Sequence, residues 1–133
     1  MSDATADETV LSPTALGGAA GLLSFGALAY VTLLLFDELA VAVVVGALSG
    51  LGSALVVPYS VQRSVEGYGP DRPANLERNV HSGAAGYALS TSGVTALAFL
   101  FVLDQPTVAV LVAVGVAAVE YVVLARVLPS ADE

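Results

Sequence analysis

The chain contains no cysteine and no lysine, and only one histidine. Without cysteine it can form no disulfide and offers no thiolate to a metal. His81 alone cannot build a multi-histidine site. Four cations, all arginine, stand against twelve acidic residues, giving a net charge of −8. Nucleic acid requires a basic face, so it is excluded as a partner. Charge of either sign is scarce: at 12% of 133 residues it is too thin to cover a soluble domain. The opening residues carry Asp3, Asp7 and Glu8 but no cation, so they lack the positive stretch of a signal peptide. The first hydrophobic segment is therefore expected to stay as a helix. No catalytic, cofactor-binding or metal-binding motif is found, and the chain is expected to be no enzyme.

What the sequence has instead is long apolar blocks. Hydrophobic residues make up 56% of the chain and fall into four runs. Each run is close to the ~20 residues needed to cross a bilayer core of about 30 Å. The pattern predicts an all-α, integral membrane, antiparallel four-helix bundle, with helices over about 13–36, 38–60, 74–103 and 106–128. Residues 1–12 and 130–133 would be acidic tails flanking one transmembrane domain over 13–129, with a loop at about 61–73. Ser12 before Pro13 reads as a helix start, Asp37 and Asp104 as caps of the second and fourth helices, and Pro129 as a stop. A soluble bundle fails on length, because nothing remains to bury four helices that are apolar all round.

The connections predict orientation. Those at Asp37-Glu38 and Asp104-Gln105-Pro106 are short and acidic, whereas Arg63, Arg72 and Arg78 lie between blocks two and three and Arg126 ends block four. In a four-span arrangement all four arginines share one side, so both termini are expected in the cytoplasm of a multi-pass cell-membrane protein.

Lipid tails are as apolar as leucine, so helices in a membrane are held by close backbone approach and interhelical hydrogen bonds. Small residues at four-residue spacing mark such faces: Gly17 and Gly21; Gly46, Gly50 and Ala54 beside Ser49 and Ser53; Ser82, Gly86 and Ser90; Ala109, Ala113 and Ala117. Block three is expected to be central, or to face block four through Ser82, Gly86 and Ser90. A shift of 67 residues lays Leu22, Gly26, Ala29, Leu33 and Asp37 on Leu89, Gly93, Ala96, Leu100 and Asp104, the pattern of a repeated hairpin.

Glu120 is the residue most able to carry chemistry. It precedes Arg126 by six residues, which places it about 9 Å inside the interface if Arg126 sits at the surface. A charged carboxylate at that depth is costly, which makes it a functional candidate by default. It borders the alanine face of block four, and Tyr87, counted inward from His81, reaches a similar depth in the polar third block, so a Glu120–Tyr87 or Glu120–Ser90 hydrogen bond is expected. On the structural reading Glu120 is a neutral interhelical donor; on the functional reading it handles a proton or a cation. His81, beside Arg78 and Asn79, reads as an ordinary interfacial histidine, with a pH-responsive gate as the sharper alternative. The arginine cluster orients the chain, and Tyr59 and Tyr121 fit an interfacial aromatic belt.

Acidic excess, missing lysine and reliance on Ala, Val and Gly resemble the composition of salt-accumulating halophiles, where a Debye length of about 3 Å hides self-repulsion. Over all four spans the chain broadly resembles small uncharacterised four-helix membrane proteins of halophilic archaea. It is similar to small multidrug exporters in having one membrane carboxylate, but theirs lies in the first helix. It is similar to rotary-ATPase proteolipids in a duplicated hairpin with a late Glu. Here Ala118-Val119-Glu120-Tyr121-Val122 lacks their Pro-Glu-Thr surroundings, and the turns face outward. Neither family's site carries over. The leading expectation is a structural or accessory membrane protein, working as a homo-oligomer or within a larger membrane complex, with the lipid bilayer as a partner and no cofactor. The alternative is a small proton- or cation-coupled transporter or channel using Glu120.

Overall fold

The computed structural model describes residues 12–66 and 76–128, with side chains described over 12–61 and 80–128. Four helices account for nearly all of them: α1 (Pro13–Phe36), α2 (Leu39–Glu66), α3 (Leu76–Val102) and α4 (Pro106–Val127). All four are long and apolar enough to cross a membrane. The protein is thus an all-α, antiparallel four-helix bundle of the multi-pass membrane type. The arginines of the 61–80 connection, the two acidic tails and Pro129 lie outside the described residues or side chains.

The helix ends follow local chemistry. The Ser12 hydroxyl accepts the Ala15 N–H at 3.1 Å, and Pro13 fills the first turn, where its missing N–H costs nothing. Leu128 leaves α4 with extended backbone, the conformation that a following proline imposes. Two expected caps are corrected. Asp37 closes α1 instead of opening α2: it adopts left-handed backbone, φ 52°, and its N–H reaches the Leu33 carbonyl at 2.9 Å. Asp tolerates this conformation better than most residues, so it stands where a terminal Gly is more usual. Glu38 then supplies the first carbonyl of α2, to Ala42. At the second turn Gln105, not Asp104, occupies the cap, without a side-chain hydrogen bond. Helix α2 also runs past its expected end at 60, to Glu66.

Each helix packs on the next, α1 on α2, α2 on α3 and α3 on α4, while α1 and α3 touch only slightly and contact between α1 and α4 is marginal at most. Helices α2 and α3 are therefore the inner pair. The size distribution is inverted relative to a soluble core. The largest fully buried side chains are Val45, Thr32 and Ser92, whereas Leu22 is 76% and Val102 77% exposed. A water-soluble bundle would turn its leucines inward. This one buries Ala42, Ala84, Ala96, Ala109 and Ala113 and turns leucine and valine out, as a lipid solvent allows.

Glycine sets the spacing. A Cβ on Gly21 would lie 2.8 Å from the Gly50 carbonyl, and one on Gly50 would lie 2.8 Å from the Gly21 carbonyl. Gly52 and Gly86 oppose each other in the same reciprocal way across α2 and α3. Two residues of an α-helix are about 200° apart, so Gly50 and Gly52 present α2 to different neighbours. Gly46 meets Phe25 and Ala29 of α1, and Gly93 meets Ser49 of α2. Pro58 adds a separate demand. Its ring leaves the Ala54 carbonyl without its usual helical donor, and Gly17 lies against that carbonyl and the Pro58 ring, where any side chain would collide.

Side-chain hydroxyls satisfy themselves locally or across the same seams. Ser24 of α1 meets Ser53 of α2 at 2.7 Å, while Thr32 and Ser92 donate to the carbonyls of Leu28 and Leu89 on their own helices. At the end with the two short turns, Phe36 packs edge-on against Phe101, centroids 5.2 Å apart.

The alanines of α4 lie buried as expected, but Gly86 and the Ser90 backbone lie against α2 at Gly52 and Val56, not against α4. Four-residue spacing shows that a helix can be approached closely; it does not show by which neighbour. The hairpin repeat does not extend to environment either. Gly26 faces open space while Gly93 is packed on Ser49, and Asp37 alone among the described non-glycine residues has positive φ, so the two turns differ.

Replacing Gly52 by Ala is expected to destabilise the protein in detergent by about 1–3 kcal/mol, because backbone on both helices must move. Gly26→Ala, with nothing near its missing Cβ, should be neutral or slightly stabilising. Equal thermal unfolding temperatures for the two variants would show that α2 and α3 are not in close contact.

Candidate functional site

The polar groups that join α3 to α4 collect near the end of the bundle that bears both termini. Ala109, Ala113 and Ala117 seat α4 on α3. Glu120 follows three residues later on the same face, half-buried, and its Oε2 is hydrogen-bonded to the Thr91 hydroxyl of α3. Tyr121, about 100° further round α4, reaches the exposed His81 instead, with its hydroxyl 3.0 Å from Nδ1. The rings of His81 and Tyr121 are tilted, with centroids 6.3 Å apart. Two side-chain hydrogen bonds thus cross this seam, with the carboxyl bond deeper and the imidazole bond nearer the start of α3.

Thr91 is versatile in this position. Its Oγ1 lies 2.9 Å from the Tyr87 carbonyl and 3.1 Å from the Ala88 carbonyl, besides its contact with Glu120. A hydroxyl has one hydrogen and two lone pairs. It can donate back to its own helix while accepting from a protonated Glu120, or turn and donate to an ionised one. The seam therefore has a partner for the carboxyl in either state, and an interhelical link is kept in both.

The expected partners of Glu120 are placed differently. Ser90 belongs to the face of α3 that meets Gly52. Tyr87 is close in space, since its carbonyl shares the Thr91 hydroxyl, but its side chain points outward and is 39% exposed. Thr91 is the partner that spacing alone missed. A signal for it exists: Tyr87 and Thr91 are four apart, hence on one stripe of α3, and only the crossing geometry of α3 and α4 shows that Glu120 reaches the second of them. Of the belt tyrosines, Tyr59 is instead buried, its ring against Gly83 at the α2/α3 contact, and Tyr121 is tied to His81. Asp37 and Asp104 are both exposed at the opposite end of the bundle, far along the helices from Glu120. Arg126 is exposed on the last turn of α4, where a cation suits the helix dipole. Among the described residues no group of three or more His, Asp or Glu is placed to hold a metal ion.

No family model matches the chain, and neither the curated proteins nor the solved structures give a match.

Removing either side of the deeper link should destabilise the protein. In a double-mutant cycle on reversible unfolding in detergent, Thr91→Val and Glu120→Leu should show coupling of about 0.6–1.7 kcal/mol, the range for membrane hydrogen bonds. Ser90→Ala combined with Glu120→Leu should be additive to within about 0.5 kcal/mol. Coupling to Ser90 rather than to Thr91 would overturn the pairing.

Proposed function

We propose that this chain is a structural or accessory membrane protein rather than an enzyme or a transporter. Its task on this reading is to present a compact, preformed helical surface within a membrane assembly. The observation that carries it is the use of its one intramembrane carboxyl: Glu120 is half-buried in a helix–helix seam and bonded to Thr91. A transport carboxylate must be offered in turn to water on either side. Glu120 instead stands beside an alanine face that seats α4 closely on α3, a contact suited to holding two helices at fixed spacing. The carboxyls Asp37 and Asp104 lie at the other end and offer it no acid–base partner.

In the same proposal both termini and the 61–80 connection face the cytoplasm, because every arginine belongs to that side. The excess of acid over base suits a protein working at high salt, as in halophilic archaea.

The second reading, proton- or cation-coupled transport through Glu120, rests on the same seam: Thr91 can accommodate the carboxyl in either protonation state. Glu120→Gln separates the two. The structural reading predicts that the variant folds, inserts and supports the cell as the parent does. Vesicles of the parent should show no proton or cation flux above that of vesicles of the Gln variant. Flux present in the parent and abolished in the folded variant establishes transport and rejects the structural role. For orientation, reporters placed after Leu128 and at Arg72 should read cytoplasmic and one at Asp104 external, and an external Arg72 reporter would reverse the topology.

A further inference from the structure

The helix contacts do not all fix their register in the same way. Along α2 shape decides. Gly21 and Gly50 take up each other's space on one side, Gly52 and Gly86 do so on the other, and the Tyr59 ring lies against Gly83. Helix α4 has no such key, because its one glycine, Gly115, faces open space. Its buried residues, Ala109, Ala113 and Ala117, are identical and four apart. The buried small residues Ala84, Ala88, Ser92 and Ala96 of α3 follow the same spacing, and Ala96 shares one buried cluster with Ala109 and Ala113. A slide of α4 by four residues, about 6 Å at 1.5 Å per residue, brings alanine to alanine again.

Little else opposes such a slide. Helix α4 packs on α3 and makes at most marginal contact elsewhere. Three residues, Leu103 to Gln105, join the two helices. Axes about 9 Å apart and displaced by about 6 Å leave a gap of about 11 Å, within the reach of that turn when extended. What does change from one repeat to the next is polarity. Glu120 meets the Thr91 hydroxyl and Tyr121 meets His81. Thr95 stands four residues beyond Thr91 on the same stripe of α3, and its hydroxyl makes no hydrogen bond among the described residues.

We propose that these two polar links, rather than the alanine contact, select the register of α4. Without them α4 occupies a second register, four residues toward the end with the short turns, in which Glu120 bonds Thr95. A lone polar pair selects among otherwise equivalent registers of a helical seam in the same way as a buried Asn does in a coiled coil. In lipid a carboxyl deprived of Thr91 gains by reaching the next hydroxyl, since no water replaces the lost partner. Arg126 can follow the slide and still extend its guanidinium to the interface. The parent, with both links, keeps one register. The inference deepens the structural reading of Glu120 and rests on it.

The absence of cysteine makes the test direct. Val102→Cys on α3 and Val127→Cys on α4, both at exposed positions far apart along the seam, carry nitroxide labels in the full chain. Pulsed electron paramagnetic resonance in lipid bilayers should give one distance in the parent background. Adding Thr91→Val and Tyr121→Phe, which remove both links but keep Glu120 and every alanine, should produce a second population shorter by about 5 Å, close to one helical pitch. Tyr121→Phe alone, with Thr91 in place, should return the parent distance. If the double variant does not fold, Thr91→Val alone decides, with the shorter population expected at a smaller fraction.

An unchanged single distance in the folded variant overturns the proposal. A broad distribution without the shorter peak, as from a detached α4, overturns it equally. Flux lost in Glu120→Gln would reject the structural reading on its own evidence, whereas an unchanged distance without flux rejects only the second register.

Discussion

The structure depends on backbone meeting backbone along the two sides of α2. In a bilayer no expulsion of water drives leucine side chains together, so attraction between helices must come from close packing and polar contacts. At Gly21–Gly50 on one side of α2, and at Gly52–Gly86 on the other, each glycine occupies space that a Cβ would take from its opposite's carbonyl. Weak Cα–H···O contacts and extensive dispersion become available only at that spacing. The neighbouring features follow from the same closeness. Tyr59 finds a slot because Gly83 has no side chain, Ser24 and Ser53 come within hydrogen-bond reach, and Gly17 lies against the carbonyl that Pro58 leaves without a donor.

Helix α4 is attached differently. Alanine replaces glycine along its contact face, Gly115 faces open space, and the seam with α3 is supplemented by side-chain hydrogen bonds. Glu120–Thr91 and His81–Tyr121 secure the part of the helix beyond the last contact alanine, Ala117. The carboxyl most suggestive of function in the sequence is thus also placed where α4 benefits from an added link.

Much of this was legible in the residues. Four apolar blocks of spanning length gave the class and order of the helices, Ser12-Pro13 gave the start of α1, and four-residue spacing of small residues picked out Gly17, Gly21, Gly46, Gly50, Ala109, Ala113 and Ala117 as contact positions. What could not be read was which neighbour each face meets. Gly86 pairs with α2 because α3 carries two contact faces, and a spacing rule has no term for the direction of the next helix. The caps failed for a related reason. Asp at a helix boundary is equally competent to end one helix or to begin another, and with only two residues between α1 and α2 the backbone of Asp37 decides. Thr91 was hidden because the crossing of α3 and α4, rather than equal depth alone, determines which hydroxyl the Glu120 carboxyl reaches.

The central claim, that glycine backbones on both sides of α2 lie in direct contact, is tested most directly by solid-state NMR of the full chain in lipid bilayers. Labelled glycine Hα atoms and carbonyl carbons should give reciprocal cross-peaks between Gly52 and Gly86 and between Gly21 and Gly50. Absence of both sets, with contacts appearing instead between outward side chains such as Leu51 and Val94, would contradict it.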